Sequence, residues 1–187
     1  MIEDAYDYNI TQLIIGLFSE ALREEEDRVI TRGSGTGQPT GLANCSITAV
    51  TCSGLLDFDD VIDLIYALPA KYRKNAIILA NNSNIRDLRK VKDSNNRYIW
   101  QEPMSAGQPA TVQGYPVIEN NWIGDDEIYF GDFKLGYWLG DRKTITVTVS
   151  GEAGTAWEYD QVGIRVVERI GGTCVLEAAM RKLSSIP

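Results

Sequence analysis

The residue types able to do chemistry gather in a few places. Carboxylates cluster at Glu24, Glu25, Glu26 and Asp27, and again at Asp57, Asp59, Asp60 and Asp63, where they could hold a metal or move protons. The loop RGSGTGQPTGL over residues 32–42 could cradle a phosphate, Cys45, Cys52 and Cys174 offer thiols, and Arg86, Arg89, Lys90 and Lys92 offer a basic patch. The chain has no histidine. That removes the commonest general base and every Ser–His or Cys–His nucleophile pair, leaving only carboxylate, lysine or tyrosine chemistry open.

Each set has a simpler explanation than a ligand. Consecutive carboxylates at 24–27 fan around a helix instead of converging on one ion, so they read as a solvated face. The aspartates from Asp57 onward fall at the start of a helical pattern, where the macrodipole favours negative charge by ~0.3–1 kcal/mol each when exposed. Gly33, Gly35 and Gly37 do not complete GxGxxG, and no Gly-Lys-Ser/Thr closes the loop, which predicts a turn-rich connection. An odd, sparse cysteine set argues against a disulfide framework; without CxxC spacing or histidine it does not make a zinc site either, so free, mostly buried thiols are expected. The basic cluster reads as a solvated helix face. No metal, no cofactor and no enzymatic activity is expected.

At 187 residues and 44% hydrophobic, the chain can bury a real core in one domain or two small interleaved ones. Its 18 basic and 26 acidic side chains give a net charge of -8, which argues against long-range attraction to phosphate backbones. No apolar run reaches the roughly 20 residues of a membrane helix, and the opening MIEDAYDYN lacks the basic and apolar regions of a signal peptide. Synthesis in the cytosol with no membrane partner is the expectation.

The elements that would position these groups follow from periodicity. Ile10, Leu13, Ile14, Leu17, Phe18, Ala21 and Leu22 recur at helical steps, predicting a helix over residues 10 to about 30 with Asn9 and Gln12 as a capping box. Residues 47–51 read as a short strand. Asp57 should cap a helix ended by Pro69, followed by a strand at 76–80, a polar-capped helix from Ser83 to about Val91, and a strand at 115–119. Strands are expected at 127–130 and 136–139. Ile145, Val147 and Val149 alternate with threonines, and Val162, Ile164 and Val166 resume the alternation, predicting a hairpin of two long half-buried strands around a turn at 150–161. A last short element at 174–178 precedes a tail. The long loop QEPMSAGQPAT at 101–111 is a candidate contact surface, with an active-site lid as its rival reading.

The segment from Ala67 to Glu119, with ALPAKYRKN, KDSNNRYIWQ and AGQPATVQGYPV, resembles the HK97-type bacteriophage major capsid protein family. GTGQPTGL before it, and IYFGDFKLGYWLGDR and VGIRVVERIGG after it, extend the resemblance in order over nearly the whole chain. The resemblance implies an α+β, HK97-like capsid fold. A peripheral domain, residues 1–54 and 143–170, would carry the spine helix and long β-hairpin; an axial domain, residues 55–142 and 171–187, would carry a mixed sheet flanked by helices.

It further implies a structural subunit that self-assembles as pentamers and hexamers into the icosahedral head of a tailed phage or prophage. Such a head encloses DNA without sequence-specific binding, and the protein would be made in the bacterial host cytoplasm. An encapsulin-like nanocompartment shell is the alternative with the same fold. Subunit contacts would fall on Gln101, Glu102, Pro103, Met104 and Gln108 toward the capsomer axis, and on Glu152 and Trp157 toward neighbouring capsomers. Family members carry an N-terminal arm and extended loop before the spine helix, whereas this chain starts almost at the helix. The expectation is therefore an N-terminally truncated protein that is monomeric or a small oligomer. Some relatives cross-link through a lysine on that loop; Glu168 resembles the helper carboxylate, but without the loop the cross-link is not expected.

Overall fold

The computed structural model describes residues 10–52, 54, 56–92, 95–98, 100, 110–152, 154, 158–159 and 161–184. Asn9, the expected cap of the first helix, lies outside them. Helix α1 spans Ile10–Arg32 and leads through the glycine-rich loop and a 3-10 turn at Leu42–Asn44 into β1, Ala49–Thr51. Helix α2, Phe58–Ala67, begins as the sequence predicts: Asp57 Oδ1 accepts from the Phe58 amide at 2.6 Å, and the Asp57 amide donates to Asp60 at 3.0 Å. Two of the clustered aspartates are thus committed to a capping box, which satisfies amides that helix geometry leaves unpaired.

A short α3, Ala70–Arg73, precedes β2, Ile77–Ala80. Helix α4, Asn82–Lys90, is capped by Asn81, whose side-chain oxygen accepts from the Asn84 amide at 2.9 Å. Strands β3, Thr111–Val112, and β4, Tyr115–Glu119, form a tight hairpin over Gln113 and Gly114. Both turn residues have positive φ, 51° and 82°, the requirement of a two-residue loop whose twist matches its strands. Then come β5, Glu127–Gly131; a one-turn α5, Phe133–Gly136; β6, Tyr137–Ser150; β7, Gly163–Cys174; and, after a 3-10 turn at Glu177–Ala179, β8, Met180–Ser184.

The strands make a mixed six-stranded sheet, ordered β1-β8-β5-β2-β4-β3, and a separate two-stranded ribbon of β6 and β7. In the large sheet β1 runs parallel to β8 and β2 parallel to β4, while β5 lies antiparallel to both β2 and β8. The main core packs α2 and α4 against it through Leu64, Leu68, Ile78, Leu88, Ile128, Phe130 and Leu183. A smaller cluster of Leu42, Ile47, Ile123, Tyr129 and Met180 joins the loop after α1 to the sheet.

Three sequence expectations need correction. The tail is no tail: Met180 and Leu183 are fully buried and β8 is an interior strand between β1 and β5. The expected strand at 136–139 is the start of β6, so the ribbon reaches from Tyr137 to Cys174 with bulges near Asp141 and Lys143. The alternating apolar residues of β6 are not half-buried, since Ile145, Val147 and Val149 are 38–49% exposed. A two-stranded ribbon has no second layer of its own to bury them.

Candidate functional site

The glycine-rich loop folds back on itself. A side chain at Gly33 would put Cβ 2.2 Å from the Pro39 carbonyl oxygen and 2.4 Å from that of Val29, a close approach only glycine permits. The amides of Gly33, Gly35 and Gly41 donate to Val29, Pro39 and Gly33 carbonyls, and that of Thr40 donates to Gly172 on β7 at 2.9 Å. These four N–H groups are spent on loop structure and on fastening the loop to the ribbon, not on a phosphate.

The basic cluster is also absorbed locally. Asp87 pairs with Arg86 at 3.0 Å and Lys90 at 3.2 Å, which holds its carboxyl below the usual carboxylate range. Arg89 stacks over Trp100 and Lys92 over Tyr98, each just under 5 Å from the ring centroid. Among the described residues no group of carboxylates or cysteines is arranged to hold a metal ion. No described helix is long and apolar enough to cross a membrane.

What the chain does build is a polar junction and a groove. At the junction Asn84, 1% exposed, donates to the carbonyls of Glu127 at 2.8 Å and Gly124 at 3.3 Å. Asn81 and Ser83 both donate to Asp125, and these donors keep its carboxyl below the ordinary range. From the other side Asn120 donates to Thr31 Oγ1 at 3.0 Å and Arg32 to the Trp122 carbonyl. The loop at 120–126 thereby ties the end of α1 to the start of α4, and so fixes the long helix against the large sheet.

The groove, about 720 Å³, runs between α1, the glycine-rich loop and the ribbon, with Leu22, Val29, Pro39, Val166 and Ile170 in its lining. Glu26 on α1 and Glu168 on β7 face each other across it as a hydrogen-bonded acid pair. Burial, then the hydrogen bond to Glu26, then the charges of Glu26 and Asp141 push Glu168 up to about 6. Nothing in the sequence spacing could pair residues this far apart; only the docking of α1 on the ribbon does so.

The surface beyond the groove is unusually apolar. Along α1, Leu13, Leu17 and Phe18 are 41–64% exposed, although their helical spacing predicts a buried face; among the described residues the helix is buried toward its C-terminal end, at Val29 and Thr31. On the ribbon Trp138, Leu139, Ile145, Val147 and Val149 are exposed as well. Of the expected contact residues, Glu152 is described: it is exposed, in the turn after β6, its amide donating to Ser150 Oγ at 3.1 Å. Gln101, Glu102, Pro103, Met104, Gln108 and Trp157 lie outside the described residues.

An apolar helix face thus lies exposed beside an exposed apolar ribbon. The profile of the phage capsid family matches residues 2–185. The chain belongs to that family. It is a structural capsid protein of the HK97-like fold, and its place is the virion capsid. The capsid of an empty GTA particle, solved with C5 symmetry, superposes with a TM-score of 0.83 at 27% identity, over 99% of this chain and 70% of that one. The SrpI encapsulin of Synechococcus elongatus PCC 7942 matches with a TM-score of 0.69 at 16% identity, over 99% of this chain and 69% of that one, a likeness of fold alone. Gordonia phage Cozz matches with a TM-score of 0.61 at 18% identity, over 94% of this chain and 63% of that one. No curated protein sequence matches the chain.

Proposed function

We propose that this capsid protein is the repeating subunit of the icosahedral head of a tailed phage or prophage, made in the host cytoplasm and assembling as pentamers and hexamers. The observation that carries this reading is the row of apolar residues left exposed along α1 and β6. Leu13, Leu17, Ile145, Val147 and Val149 have the spacing of core residues yet stay exposed among the described residues of their own chain. Exposed apolar area of this extent marks a protein–protein contact. In this reading α1 and the ribbon form a peripheral unit, and the six-stranded sheet with α2 and α4 an axial one. The loop at 101–111, through Gln101, Glu102, Pro103, Met104 and Gln108, would face the capsomer axis, and Glu152 and Trp157 would meet neighbouring capsomers.

The subunit acts by association and needs no cofactor or reaction. Net charge of -8 suits a wall that encloses DNA without reading its sequence. The compartment-shell alternative shares the fold, and a 16% identical likeness gives it no support beyond that.

Sedimentation velocity over a concentration series tests the reading on the 187-residue chain. The expected result is a monomer or reversible small oligomers, any association being weakened by Leu17→Asp and by Val147→Asp while circular dichroism stays unchanged. Association indifferent to both substitutions, or closed particles formed by this chain alone, would overturn it.

A further inference from the structure

The sequence places Cys45 and Cys174 far apart along the chain, but the fold brings them together. Cys45 follows the 3-10 turn after the glycine-rich loop; Cys174 ends β7, in register with Tyr137. Both pack against the cluster of Leu42, Tyr129 and Met180. Cys174 is thus a close neighbour of Cys45, and its amide and thiol both favour the Cys45 thiolate, while the Cys45 thiol donates to the Gly41 carbonyl at 3.4 Å. The same seam is held by hydrogen bonds from the Thr40 amide to Gly172 and from the Tyr137 hydroxyl to the Thr40 carbonyl, each 2.9 Å.

We infer that Cys45 and Cys174 form an oxidation site, a thiol pair that closes to an intrachain disulfide and staples the base of the ribbon to the loop that follows α1. Cys52 takes no part: its thiol is buried on the far side of the sheet edge, donating to the Gly54 carbonyl and to Asp60.

The chemistry balances with a peroxide as oxidant. The Cys45 sulfur, better solvated as thiolate by the two donors of Cys174, attacks a peroxide oxygen; the O–O bond breaks, leaving a sulfenic acid and one water. The Cys174 sulfur then attacks the sulfenic sulfur, the S–O bond breaks, the S–S bond forms, and the second thiol proton leaves with a second water. Two thiols and one hydrogen peroxide give one disulfide and two waters.

Burial and the nearby charge of Glu177 raise both thiols, Cys174 to about 12, so the pair reacts slowly and stays reduced in a reducing cytoplasm. When it would act rests on the capsid reading: a shell assembles inside the cell and persists outside it, where disulfides last. The pairing itself does not rest on that reading, so the thiol assay and the sedimentation assay fail independently.

The test treats the folded chain with hydrogen peroxide at mildly alkaline pH, then alkylates it under denaturing conditions for intact mass and tryptic mapping. The expected result is a monomer lighter by two hydrogens with a Cys45–Cys174 linked peptide, only Cys52 alkylated, and an unfolding midpoint raised by several degrees and restored by dithiothreitol. Cys52→Ser should behave identically, and Cys174→Ser should lose both the link and the rise. Full alkylation of all three cysteines after peroxide, a link to Cys52 or between chains, or a sulfinic acid on Cys45 without a link would overturn the inference. If Cys174→Ser fails to fold, the wild-type and Cys52→Ser maps decide alone.

Discussion

Leu183→Ala measures how much of the fold hangs on the last strand. Leu183 is 0% exposed, sits opposite Val50 and Ile128 in its two neighbouring strands, and packs in the main core. Truncation to alanine removes three buried carbons, worth ~0.8 kcal/mol each by transfer, or about 2.4 kcal/mol. A residual cavity adds to that, because a strand held on both sides by backbone ladders has little room to collapse, and about 3–4 kcal/mol in all is expected, within the measured range for Leu→Ala. Val149→Ala, 49% exposed on the ribbon, is the control and should cost under about 1 kcal/mol. Chemical denaturation at unchanged m reads both, and for a chain of this size the Leu183 variant should melt roughly 6–16 °C lower. If Leu183→Ala costs no more than Val149→Ala, β8 is not an interior strand and the core described above is wrong.

Two further substitutions probe the polar contacts. Asn84→Ala orphans the carbonyls of Gly124 and Glu127, so it should cost about 2–3 kcal/mol in denaturation while the exposed Asn82→Ala stays near neutral. Glu168 holds its proton more tightly folded, about 6 against an ordinary 4.5, so its favourable contribution is complete below about 4.5 and is lost as pH rises through about 6. A dry site would make that worth about 2 kcal/mol. Solvent access reduces it to about 1 or less. Glu168→Gln should therefore be the more stable chain above neutrality and match the wild type near pH 4, and a difference that does not change with pH would refute the acid pair.

The local grammar of the sequence was a good guide where a side chain answers a backbone need. Asp57 announces a helix start because unpaired amides require an acceptor, whereas the cap of α4 is Asn81 instead of the expected start at Ser83, and the tight turn at Gln113-Gly114 was not expected. The last strand hid because MRKLS has neither alternation nor a continuous apolar run. Only Met180 and Leu183 reach the core, while Arg181 donates to the Ala67 carbonyl and Lys182 pairs with Glu127 at 3.0 Å. Those partners are tertiary, so no local window contains the reason for the strand.

The same limit governs the candidate surface. Periodicity states that Leu13, Leu17 and Val147 are placed to be covered, but it does not state by what. Within one chain α1 shows both outcomes: Val29 is 7% exposed beneath the loop and ribbon, whereas Leu17, three turns earlier on the same helix, is 59% exposed. A helix serving only its own fold would turn polar where its cover ends, because an apolar stripe there adds no stability and invites aggregation. That α1 keeps its stripe past the edge of its own core, beside a ribbon that does the same, means the pattern was written for a larger body than one chain. The acid pair lies where the long helix meets the ribbon and the apolar stripe continues along the helix beyond it, so perturbing the stripe should alter association before it alters the six-stranded core.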